Sequence, residues 1–247
     1  DTRPFGLGQN AGQIYIGMVC SGPITSNLRA YVYAFDGSTF AQKLNFPMDY
    51  TRSNVNAAIK FDGVTYFDVN HGALPWSDTP HPTYTDHNQN DGTVSGSYPS
   101  FAPMLVDIVF DKGDMVLGFR SRVSDQIYDA DMTIGGEILR ACADSALNPT
   151  SWSIENNGVC NGKSTINPPS IIDTWTGLNN ARSTSLAPGG YEYYWGENGF
   201  EGEAAQGALA QIPGARNVYA TAIDVTGRGG AQNIMALSHI SGVVTAA

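Results

Sequence analysis

At 247 residues the chain could form one large β domain or two smaller ones, and it can bury a substantial core. Gly (28), Pro (13) and Tyr (12) are abundant while charged residues make up 15%, which describes many short strands joined by tight turns. Thirteen basic against twenty-three acidic residues leave a formal charge of -10, which argues against nucleic-acid and membrane-surface partners; no apolar run approaches membrane length.

Strand patterning begins at Gln13 to Cys20 and continues at Leu28 to Phe35, where Tyr31, Tyr33 and Phe35 share one face and Ala30, Val32 and Ala34 the other. Asp36-Gly37 turns the chain into Phe40 to Phe46. Ala57 to Phe61, Asp62-Gly63 and Val64 to Val69 repeat the scheme. An Asp-Gly pair between apolar runs is a strong hairpin signal, because the two central residues of the tight turn take positive φ.

Residues 77–100 differ: polar, Pro-punctuated and nearly free of aliphatics, they read as a long surface loop. The loop holds His81, Asp86, His87 and Asp91, but their spacing fits no standard zinc signature, and Asp86-x-Asn88-x-Asn90 departs from a calcium loop at Gly92 and Ser97. A solvated loop is the simpler reading.

Met104 to Arg120 (MLVDIVFDKGDMVLGFR) gives two apolar runs around Asp111-Lys112-Gly113-Asp114, with Asp107 in the middle of the first. Glu137 to Cys142 (EILRAC) and Ser151 to Glu155 read as a further strand pair, although Ile138 to Ala141 could equally start a helical turn. Lys163 to Pro188 is loop-like. Gly207 to Ile212, Asn217 to Val225 and Gln232 to Ile240 close the chain as three strands. Cys142 and Cys160 flank a turn-rich segment and could form a local disulfide, contributing about 3 kcal/mol in the loop-entropy model, or remain buried thiols. Cys20 is then left over, buried or paired outside the chain.

Acid-glycine corners recur at Asp36, Asp62, Asp111 and Asp224 with irregular spacing. Paired strands that return through loops of unequal length predict an all-β antiparallel meander, an irregular and incomplete β-propeller. The chain reads as a single β domain, 1–247, part of a larger propeller.

Three stretches carry a family likeness: Arg3-Pro4-Phe5 with Gln13 to Asp36, Ala102 to Arg120 with Gly136 to Cys142, and Gly207 to Gly214. Together they resemble the propeller-like head of large secreted bacterial surface proteins whose tails carry collagen-adhesin-type B repeats. The resemblance implies an extracellular, cell-surface adhesive or structural module and attaches no catalytic residues. It also implies blades ahead of Arg3 and repeats after the head. A chain that begins inside a propeller leaves a strand edge open, so other chains of a surface assembly, or a neighbouring copy, are the expected partners.

The alternative is a carbohydrate-active domain, binding glycans or cleaving them with two carboxylates drawn from Asp107, Glu137 and Glu203. The plainer reading makes Asp107 a hydrogen-bond acceptor near a central channel. Tyr191 to Glu203 mixes aromatics with acids that could bind sugar or hold Ca²⁺ between Glu197, Glu201 and Glu203; Asp125, Asp129 and Asp131 have the alternation of calcium ligands. Packed rings and solvated acids are the simpler reading of both. No G-x-S-x-G and no phosphate-binding Gly-rich loop is present.

Overall fold

The computed structural model describes residues 2–22, 25–50, 60–61, 64–65, 73–76, 84–87, 94–98, 101–122, 125, 136–164, 186–194, 197–198, 202–203, 205–223, 232–238 and 244–246. Apart from a 3-10 turn at Thr25–Asn27, every element among them is a strand. The first meander is β1 (Thr2–Asn10), β2 (Gln13–Cys20), β3 (Arg29–Phe35) and β4 (Phe40–Pro47). Two hairpins follow, β5 (Lys60–Phe61) with β6 (Val64–Thr65), and β7 (Tyr84–His87) with β8 (Val94–Tyr98). The second meander is β9 (Pro103–Asp111), β10 (Asp114–Ser121), β11 (Glu137–Ala143) and β12 (Trp152–Ile154). Three short pairs come next: β13 (Val159–Cys160) with β14 (Lys163–Ser164), β15 (Leu186–Ala187) with β16 (Gly190–Tyr191), and β17 (Glu197–Asn198) with β18 (Gly202–Glu203). The third meander is β19 (Ala205–Gln211), β20 (Asn217–Ile223), β21 (Gln232–Ser238) and β22 (Val244–Ala246).

The chain is thus all-β, and its antiparallel meanders form an irregular, incomplete propeller-like arrangement. The first two meanders share one eight-stranded sheet, joined where β1 runs parallel to β9 at Leu7 and Asp107. That sheet curls until its edge strands β4 and β12 approach each other. The third meander is a separate four-stranded sheet whose first strand, β19, packs against β9 and β10.

Side-chain alternation explains this layering. Tyr15, Val19, Ala30, Val32, Ala34, Leu44 and Phe46 point inward and meet Leu105, Ile108, Met115, Leu117, Phe119, Leu139 and Ala141 in one buried cluster. The opposite face of the second meander, with Val116, Ile138 and Cys142, meets Ala205, Val218, Ala220 and Ala222 of the third in another. At that second interface backbones touch: a Cβ on Gly118 would lie 1.9 Å from the Gly207 oxygen, so neither strand tolerates a side chain there.

The tight hairpin read at Asp111 to Asp114 is formed and closes on two residues, Lys112 and Gly113, both at positive φ (53° and 91°). Asp36-Gly37 instead belongs to a four-residue connection, Asp36 to Thr39, between Phe35 and Phe40. There the Asp36 carboxylate accepts from the backbone and hydroxyl groups of both Ser38 and Thr39. The segment 77–100, read as an unstructured loop, contains the β7–β8 hairpin. Glu137–Ala143 is strand, not a helical turn, because it pairs with β10 on one side and β12 on the other.

Candidate functional site: a buried ionic seam

Arg140 lies in β11 with its side chain fully buried on the face toward the third meander. Its Nε and Nη2 donate to Asp114 at 2.9 and 2.7 Å, Nη2 also reaches Asp111 at 3.3 Å, and Nη1 donates to the Tyr194 hydroxyl at 2.8 Å. The guanidinium also lies over the Tyr193 ring, 4.7 Å from its centre. The two acids are the residues that bracket the Lys112-Gly113 turn. The hairpin therefore delivers both carboxylates to one cation, and the second Asp114 oxygen accepts the Ala143 backbone N–H at 2.9 Å. A buried charge survives only when paired and saturated with hydrogen bonds, and Arg140 meets both conditions.

Glu155, just past β12, is fully buried beside this cation. Its carboxyl accepts the backbone N–H of Arg140 at 2.7 Å and that of Tyr193. Burial pushes its pKa from the ordinary 4.5 up to about 8, against the opposing pull of those two N–H groups. Burial likewise raises the Tyr194 hydroxyl. The Cys142–Cys160 disulfide, with Cα atoms 5.6 Å apart, ties β11 to β13 alongside the seam. The local pairing expected from the sequence is therefore formed, and Cys20 is half-buried and free.

The candidate catalytic acids are placed differently. Asp107 accepts the Leu209 backbone N–H at 2.8 Å through one oxygen and the Ile108 N–H at 2.8 Å through the other. It clamps the first strand of the third meander onto the second. Glu137 is fully buried on the other face, where the Tyr50 hydroxyl donates to it at 2.8 Å. Asp107 and Glu137 therefore leave opposite faces of one sheet and do not flank a common bond. Glu203 pairs in register with Glu197 on β17–β18.

Of the calcium candidates, Asp125 is exposed and paired with Arg120. Glu197 and Glu203 are located by backbone register alone, and Asp129, Asp131 and Glu201 lie outside the described residues. Among the described residues no three His, Cys, Asp or Glu side chains converge as metal ligands. Sequence reading passed over Arg140 and Glu155; the rings it read as packed or sugar-binding in Tyr191 to Glu203 include Tyr193 and Tyr194, which are fully buried. The available signal was an arginine inside the apolar run EILRAC, three positions after a Glu and two before a Cys.

With this geometry in place, the chain's similarities can be read. No protein-family model matches it, and no solved structure does. It is similar to three large proteins of Dictyostelium discoideum. Colossin-B is 28% identical over 236 residues, covering 90% of this chain and 6% of colossin-B. Colossin-A is 28% identical over 231 residues, covering 91% of this chain and 2% of colossin-A. Colossin-D is 26% identical over 230 residues, covering 91% of this chain and 21% of colossin-D. The chain thus spans 2% to 21% of the length of these relatives, and nearly all of it takes part in the likeness. These relatives come from Dictyostelium, and the matches do not bear on the expected likeness to bacterial surface proteins or on B-type repeats.

Proposed function

We propose that this chain is a non-catalytic structural and adhesive module of an extracellular protein or surface assembly. The observation that carries the reading is the use to which its charged groups are put. Asp107 clamps two sheets together, and Arg140, Asp111, Asp114 and Glu155 bind one another and backbone N–H groups at the seam between them. These are devices for holding stacked sheets in one register. A buried disulfide supports an oxidising, extracellular setting. Similarity to a small share of much larger proteins supports a module within a long polypeptide, and the likeness to bacterial surface-protein heads points the same way. Its partners would be other protein chains of that assembly.

The test is antibody labelling of intact cells that make the protein, before and after extraction with concentrated salt. Surface label that persists supports the reading; label found only after permeabilisation overturns it. Glycan hydrolysis by the purified chain, lost in Asp107→Ala with the fold retained, would equally overturn it.

A further inference from the structure

The outward face of the first meander carries rings, amides and cations, and no acid. Tyr31, Tyr33 and Phe35 follow one another along β3, with Ile16 and Met18 of β2 on one side and Phe40 of β4 on the other. The Tyr31 and Tyr33 ring centres are 6.5 Å apart with their planes at 29°, and Phe35 stacks on Phe40 at 4.6 Å. A cleft of about 450 Å³ opens on this face, lined by Thr2, Ile16, Met18, Tyr31, Tyr33 and Phe40. Phe40 is 62% exposed.

The polar groups on the face discriminate between possible ligands. Gln42 Oε1 accepts the Tyr33 hydroxyl at 3.2 Å, and Asn45 Oδ1 accepts Arg29 Nε at 2.7 Å. Both amide oxygens are thus engaged by neighbours. The groups left to meet a ligand are the two amide N–H₂ groups, the Arg29 Nη groups and the Tyr31 hydroxyl, all of which can donate. Strands β2, β3 and β4 contain none of the chain's twenty-three acids, whereas Arg29 stands at one end of the aromatic row and Lys43 in the bulge of β4. A sugar is a poor match: each hydroxyl brings a donor of its own, and no side chain of these strands is a carboxylate to receive it. A proline-rich chain is a good one. Each proline brings an apolar ring and a carbonyl acceptor, with no N–H to satisfy.

We infer that this face binds a proline-rich segment of another protein chain in polyproline II conformation, with an acidic residue toward the Arg29 end. Such a segment is already extended before it binds, so docking on an aromatic-lined surface costs little ordering entropy. Two of its residues advance about 6 Å, which matches the 6.5 Å between the Tyr31 and Tyr33 rings. A chain of formal charge -10 repels acidic peptides over most of its surface, and the acid-free face with Arg29 and Lys43 is where one is admitted. The inference rests on the assembly-module reading, for it names the kind of chain the module holds, but it can fail alone: surface label that persists without peptide binding removes the ligand and leaves the module.

The experiment is fluorescence anisotropy with the purified, disulfide-intact chain and three labelled peptides: decaproline, decaproline with a glutamate at one end, and a Gly-Ser peptide of equal length. Decaproline should bind about tenfold or more tightly than the Gly-Ser peptide, and the glutamate should add about threefold at low salt and nothing at high salt. Tyr33→Ala and Gln42→Leu should each weaken decaproline about fivefold to tenfold, with far-UV spectra unchanged. Arg29→Gln should remove the glutamate's increment and leave decaproline binding as it was. Decaproline that binds no better than the Gly-Ser peptide, or binding that survives both Tyr33→Ala and Gln42→Leu, overturns the inference. An Arg29→Gln loss equal for both proline peptides overturns the placement of the acid. Glycan-array binding lost in Tyr33→Ala would assign the face to a sugar, and a dimer broken by Tyr33→Ala would assign it to a second copy; either overturns the proline-rich ligand.

Discussion

The first and second meanders have the same strand order and opposite fates. Each is four antiparallel strands with apolar side chains on both faces of its inner strands. The second is covered on both sides and contains a buried ionic seam; the first is covered on one side and shows aromatic rings on the other. Both present an arginine from a central strand on the outward face, Arg29 in β3 and Arg140 in β11. Arg29 meets Asn45 at the surface, and Arg140 meets two carboxylates and two tyrosines with no exposure at all. The same residue type is therefore a solvated surface group in one meander and an organising element in the other, and the covering sheet makes the difference.

The sharpest way to test that contrast is to remove each arginine. Arg140→Leu leaves Asp111 and Asp114 buried without their cation and should cost about 3–5 kcal/mol in urea unfolding. Arg29→Leu should change stability by about 0.5 kcal/mol or less. Equal effects would break the comparison. Next in size is the disulfide: Cys142→Ser with Cys160→Ser opens a link spanning 18 residues beside the seam and should cost about 3 kcal/mol, matched by reductant on the wild type.

How far the sequence carried these contrasts depends on which forces decide each element. Alternation located β2, β3, β4, β9, β10 and the first three strands of the third meander to within a few residues, since a period of two survives without knowledge of neighbours, but not β22 (Val244–Ala246). It missed β1, whose TRPFGLGQN has Pro, two Gly and no alternation; that segment is a strand because β2 and β9 pair with it on either side. Asp107 was legible as a hydrogen-bond acceptor, though its partner, the Leu209 N–H, is 102 positions away and invisible to local pattern. The ionic seam was hidden for the same reason: Arg140, Asp114, Glu155 and Tyr194 converge only after three separate segments fold.

A smaller, pH-dependent effect distinguishes the seam from the rest of the core. Glu155 has a folded pKa of about 8 against an ordinary 4.5, raised by burial. Between those values the folded protein holds a proton that the unfolded chain has lost, so this group's contribution to stability falls as pH rises from about 4.5 to about 8 and is level outside that window. Thermal unfolding should show a midpoint that drops by several degrees across the window, and Glu155→Gln should flatten it. A slope that survives the substitution would assign the dependence to other groups.

The smallest expected effect falls where the two meanders are alike. Their outermost connections use one device: Asp36 accepts from Ser38 and Thr39 between β3 and β4, and Asp144 accepts from Thr150 and Ser151 between β11 and β12. Hydrogen bonds hold both pKa values well below the usual carboxylate value of 3.8, led by the Thr39 backbone at Asp36 and the Thr150 hydroxyl at Asp144. Their stabilisation is therefore present above about pH 4 and is lost as the pH falls through the lowered folded values. Both groups are exposed, so the consequence is local. Asp36→Ala and Asp144→Ala should speed amide exchange in their own turns to a similar small degree and leave the global unfolding midpoint nearly unchanged. If Asp144→Ala instead lowers that midpoint while Asp36→Ala does not, the second meander's covered environment reaches its outermost turn. The contrast with the first meander would then extend beyond their buried and open faces.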